Sequence, residues 1–115
     1  MGVSDRNIFV ENATDLMAVK ADQTERLLGL FNDYHILYDH ERANGLIPNY
    51  QDSPSLANMT KKAIEMLSKN SENGFVLLVE GGRIDHAHHD TQVRFLLRSI
   101  YSEYDCIINL TLRPT

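Results

Sequence analysis

The segment Glu80-Gly81-Gly82-Arg83-Ile84-Asp85-His86-Ala87-His88-His89-Asp90 concentrates the chain's reactive side chains. It holds three of the five histidines within four positions, and three carboxylates, two of which flank those histidines. A helix starting near Asp85 sets Asp85 and His89 one turn apart on one face, with Cβ atoms about 5–6 Å apart. A carboxylate oxygen and an imidazole nitrogen can then reach one zinc ion, each at about 2.0–2.2 Å. Glu80, a hard oxygen donor just ahead of them, suits magnesium or a shared second site. Gly81 and Gly82 let the backbone turn sharply and pass close to a bound group. The competing reading is a solvated loop with Asp85 capping a helix. The spacing, the apolar run before the motif and the glycine pair together favour metal. Two donors do not complete a zinc site, which takes at least three protein ligands, so the others must come from elsewhere.

The elements that would position these residues follow from pattern. Phe75-Val76-Leu77-Leu78-Val79 is apolar without alternation, which predicts a strand buried on both faces, as in a parallel sheet flanked by helices. Upstream, Leu56, Met59, Ala63, Met66 and Leu67 recur at helical spacing, with Lys61, Lys62, Glu65 and Lys69 largely opposite. Asp52 or Ser53 is the predicted N-cap, with Pro54 in the first helical position. Lys69 suits the negative end of the helix dipole, and residues 70–74 stop the helix. Residues 44–53 carry dense loop chemistry. Leu27-Leu28-Gly29-Leu30-Phe31 reads as a short buried strand or a turn of helix. His35 and His40, in a stretch rich in Tyr, Asp and Glu, read as a solvated connection, and Met17, Met59 and Met66 as core or gap-filling residues. Helix, short turn, buried strand and glycines make an α/β unit, and in such sheets sites gather beyond the carboxyl ends of the strands.

Composition bounds the function. At 115 residues the chain is one domain or part of one, and 43% hydrophobic with 23% charged residues argues against disorder. A net charge of −5 argues against a sequence-independent grip on nucleic acid. No apolar run approaches the ~20 residues needed to cross a bilayer, and the N-terminus has neither a signal-peptide core nor a myristoylation pattern. The single cysteine, Cys106, excludes an intrachain disulfide and a cysteine-rich zinc module. Three Asn-x-Thr sequons, at Asn12, Asn58 and Asn109, hint at a secretory ancestry.

The run from Val79 to His89 resembles the metal-binding segment of animal alkaline phosphatases. Leu28-Gly29-Leu30-Phe31, Pro54-Ser55-Leu56 with Met59-Thr60, and Leu67-Ser68-Lys69-Asn70 recur in that family in the same order. The resemblance covers roughly residues 7–92, with Ala87 where vertebrate members usually have glycine. It implies an α/β fold: part of a three-layer sandwich with a mostly parallel central sheet, incomplete in this chain. Residues 1–92 then form a fragment of the phosphatase domain, and residues 93–115 a divergent tail with no Asp-His pair. By the same resemblance Glu80 matches a magnesium ligand, Asp85 and His89 match two ligands of the first catalytic zinc, and His86 matches a position near the substrate phosphate. His88 points away from the Asp85/His89 face. Calcium is not carried over: Asn32 stands where the family has an acid, and Asp52-Ser53 leaves the alignment of an expected aspartate open by one residue.

The family resemblance implies hydrolysis of phosphate monoesters through a phosphoserine, with zinc and magnesium as cofactors and a homodimer as the full-length assembly. It also implies an extracellular or cell-surface, lipid-anchored setting. The nucleophilic serine, the phosphate-clamping arginine and the remaining metal ligands fall outside the matched region. The chain alone is therefore expected to be inactive, with no catalytic nucleophile among its residues. The alternative is a small metal-binding or interaction module without catalysis.

Overall fold

The structure, a computed structural model, describes residues 6–48, 52–69 and 74–91. Two strands, β1 (Asn7–Val10) and β2 (Arg26–Gly29), and four helices, α1 (Ala13–Ala18), α2 (Asp39–Ala43), α3 (Leu56–Ser68) and α4 (Gly82–His89), follow one another as β1-α1-β2-α2-α3-α4. The strands pair in parallel, Asn7 opposite Arg26, Ile8 opposite Leu27, Phe9 opposite Leu28 and Val10 opposite Gly29. Parallel neighbours need a crossover, and α1 with the turn after it provides one. The fold is mixed α/β with a small parallel sheet, as the expected α/β class requires.

The core lies between this βαβ unit and α3. Val10, Leu16 and Val19 are buried together, with Ile8, Leu27, Phe31, Met59 and Met66 packed against them. Met59 and Met66 thus sit where the helical spacing places them, while Leu67 is 39% exposed. Lys62 departs from the expected polar face: it is buried, and its ammonium donates to the Val19 carbonyl at 2.9 Å and pairs with Glu65 at 2.9 Å. The aliphatic stem lies against apolar surface while the charged head finds a carbonyl just beyond the end of α1. Lys69, at the C-cap of α3, reaches further, donating to the carbonyls of Ala21, at 2.8 Å, and Thr24. Two lysines on one helix therefore fasten the turn between α1 and β2.

The caps are redistributed as well. Ser55, not Asp52 or Ser53, caps α3, its hydroxyl accepting from the Asn58 amide at 3.1 Å, so Pro54 precedes the cap. Asp52 serves α1 instead: its carbonyl accepts from the Ala13 amide at 2.8 Å and its carboxylate from the Thr14 amide at 3.3 Å. These are amides that a helix cannot satisfy internally. Asn12 completes the cap, accepting from the Asp15 amide at 2.7 Å.

Two strand expectations are corrected. Residues 26–29 form β2, but Leu28 and Leu30 are 57% and 60% exposed, so only alternate side chains turn inward. Residues 75–79, expected as a buried strand, form none: Val76 and Leu78 are 96% and 91% exposed. A strand exists through its ladder of hydrogen bonds, and among the described residues the only sheet is β1-β2. The expected tail, residues 93–115, lies outside the described residues.

Removing the α3 cap with Ser55→Ala should lower stability by about 1 kcal/mol, read as a lower urea midpoint at unchanged slope. An unchanged midpoint would show that the cap contributes nothing.

Candidate metal-binding segment

Helix α4 starts at Gly82, three positions before the expected start, because Gly81 stands at its N-cap without any side-chain cap. Asp85 consequently lies inside the helix, in its first turn, and His86, His88 and His89 in its last. Negative charge at the start and imidazoles at the end both complement the helix dipole. Asp85 and His89 retain the i,i+4 relation: Oδ2 of Asp85 lies 3.4 Å from Nε2 of His89, and the side chains are 72% and 77% exposed. Two ligands on a tetrahedral zinc with bonds of 2.0–2.1 Å stand about 3.3 Å apart. The donor chemistry and separation therefore fit two corners of a zinc site.

The other expected residues fall elsewhere. Glu80 does not join the pair. Its Oε1 folds back toward Gly82, 3.6 Å from where a Cβ on that glycine would stand. Among the described residues no three of His, Cys, Asp or Glu gather in a metal-ligating cluster. His88, expected only to point away from the donor pair, is exposed. His86 lies on neither the donor pair nor open solvent. The Arg83 guanidinium is 3.1 Å from its Nδ1, and the His35 ring meets it edge-on at 4.4 Å between centroids.

His35 is thus more than a solvated connection, and Tyr38 beside it is the centre of the network. The Arg83 guanidinium stacks 3.6 Å above the Tyr38 ring. The Tyr38 hydroxyl donates to the Asp90 carboxylate at 3.2 Å, and its backbone amide donates to Glu41 at 2.9 Å. His40, read as connection, sits on α2. Sequence reasoning missed Tyr38, Arg83 and Asp90. The available signal was that Arg83, Ala87 and Asp90 recur at three- and four-residue spacing, a helical face of their own.

Among the described residues, a cleft of about 40 Å³ beside Gly81, Gly82, Ser55 and Arg42 has room for a few water molecules. A wider apolar groove of about 410 Å³ lies over Leu27, Phe31, Met59 and Met66, away from the donor pair.

Burial raises the Tyr38 pKa above its usual value near 10. The Asp90 and Glu41 carboxylates push the same way, and the Arg83 charge partly opposes them. The folded state therefore keeps a proton that the unfolded chain loses, so stability falls as pH rises through the ordinary tyrosine range toward the folded value. Tyr38→Phe should flatten this decline between about pH 9 and 11, measured as urea midpoints at each pH. An equal slope in both proteins would contradict it.

A family model described as Alkaline phosphatase matches residues 4–105, a range that continues beyond Gln92. Alkaline phosphatase 4 of Drosophila melanogaster is 41% identical over 108 residues, 93% of this chain and 17% of that relative. The membrane-bound alkaline phosphatase of Bombyx mori is 40% identical over 77% of this chain and 15% of its own length. The human tissue-nonspecific isozyme is 41% identical over 75% of this chain and 15% of its own length. The chain thus spans less than a fifth of each of these relatives. With a family model matching nearly its whole length and relatives about 40% identical over most of it, the chain belongs to the alkaline phosphatase family.

Proposed function

We propose that this chain supplies part of the metal site of a phosphate-monoester hydrolase, with Asp85 and His89 as two zinc ligands and Glu80 as a magnesium ligand. The observation that carries the proposal is the 3.4 Å separation of Asp85 Oδ2 and His89 Nε2 on an exposed helix face, the edge length a tetrahedral ion requires. Family membership supports the reaction class. When bound there, zinc supplies Lewis acidity toward a phosphate ester.

The chain's own residues have definite tasks in this reading. Asp85 contributes the negative charge that makes the site attractive to a divalent cation, and His89 binds as the neutral imidazole. Arginine has only donors, so His86 Nδ1 must accept from Arg83, which leaves Nε2–H as a donor. That N–H is suited to an anionic phosphate oxygen. Glu80, on the turn before α4, needs to swing away from Gly82 to reach a second ion.

The remaining ligands and the nucleophile belong to other parts of the enzyme in this reading, so the isolated chain does no chemistry. The full-length assembly is a homodimer at the cell surface; among the described residues no helix is long and apolar enough to cross a membrane.

Titration of the full chain with zinc, followed calorimetrically, tests the proposal. One weakly bound ion is expected, with affinity reduced at least about tenfold by Asp85→Ala or His89→Ala. No hydrolysis of p-nitrophenyl phosphate should accompany it. Zinc uptake indifferent to both substitutions would remove the ligand assignment. Turnover by the chain alone that disappears with Asp85→Ala would refute its predicted inactivity.

A further inference from the structure

We infer that Tyr38 is a positioning residue for the Asp85–His89 donor pair: it clasps the opposite face of α4 between Arg83 and Asp90 and so keeps wound the last turn, which holds the two donors together. This rests on the reading that the pair takes zinc.

At about 100° per residue, Arg83, Ala87 and Asp90 fall within roughly 60° of arc, whereas Asp85 and His89 lie about 200–240° from Arg83. The two sets occupy opposite sides of one helix. Ala87, between the clasp residues, is 1% exposed, so this side is the buried one. Tyr38 touches both ends of it: its ring carries the Arg83 guanidinium at 3.6 Å, and its hydroxyl bonds Asp90 at 3.2 Å, one residue past the helix. Unwinding of the last turn of α4 would break the Asp90 bond and part His89 from Asp85.

Among the described residues the His35 ring also meets α4, at His86. Gly81 offers no side-chain cap, and the largely exposed segment preceding it joins no sheet among the described residues. The element pairs with the most extensive contacts are β1 with β2 and α1 with α3, neither of which includes α4. Tyr38 is itself anchored, since its amide donates to Glu41 of α2 and its side chain is buried. Partners that orient metal ligands without touching the ion commonly alter metal affinity when removed.

The test uses the full chain, zinc alone as the probe, and competition with a colorimetric chelator as the readout. Tyr38→Phe keeps the ring under Arg83 but loses the Asp90 bond, and Asp90→Ala removes the same bond from the other side. Each should weaken zinc binding about three- to tenfold, and the double variant should be no weaker than either single one. Tyr38→Leu, which loses the stacking as well, should weaken it about ten- to a hundredfold. Far-UV circular dichroism on each variant separates this from unfolding, and Tyr38→Phe, the mildest change, carries the test if Tyr38→Leu does not fold. Wild-type affinity in a folded Tyr38→Phe, or losses that multiply in the double variant, would overturn the inference while leaving the zinc ligands in place. A wild-type chain that takes up no zinc would instead overturn the ligand assignment, and this inference with it.

Discussion

A carboxylate and an imidazole one turn apart can serve one ion only while the turn that joins them stays helical. The pair at Asp85 and His89 is exposed, so no packing of its own holds it in place. What holds it lies on the far side, the side of buried Ala87, where Arg83 and Asp90 meet Tyr38. The geometry of the donors is therefore inherited from contacts that never touch them. Helical periodicity makes this possible, because one short helix can bury one face and offer the other to solvent.

The rest of the described chain forms a second, self-consistent unit. Its parallel strands need a crossover, and α3 secures that crossover with charged as well as apolar groups: Met59 and Met66 pack against the core of Val10, Leu16 and Val19, and Lys62 and Lys69 reach the carbonyls of Val19, Ala21 and Thr24. Asp52, from the loop before α3, satisfies the first amides of α1. Each bond is modest by net energy, yet losing one partner of a buried bond leaves a desolvated group behind. The small core of Val10, Leu16 and Val19 makes such polar ties more consequential here than in a larger domain.

Legibility in the sequence divided along the range of the interactions. The Asp85–His89 relation is local, four residues apart on a helix, and it could be read directly. So could the apolar face of α3 at Met59 and Met66, and the parallel α/β character. Long-range partners could not: nothing near Lys62 announces a carbonyl at position 19, and nothing near Tyr38 announces Asp90. The cap of α3 was misplaced because Asp52, Ser53 and Ser55 are all competent caps, and Asp52 was taken by another helix. The run at 75–79 was misread because its pattern describes a buried strand, and burial requires neighbouring strands. The chain spans less than a fifth of its relatives, and among the described residues the run stays outside the two-stranded β1-β2 sheet.

The most direct measurement is a crystal structure of the zinc-loaded chain with anomalous data collected at the zinc edge. A single peak is expected between Asp85 Oδ2 and His89 Nε2, about 2.0–2.2 Å from each. A peak on His88 or between the rings of His35 and His86, with Asp85 and His89 turned apart, would contradict the account at its centre.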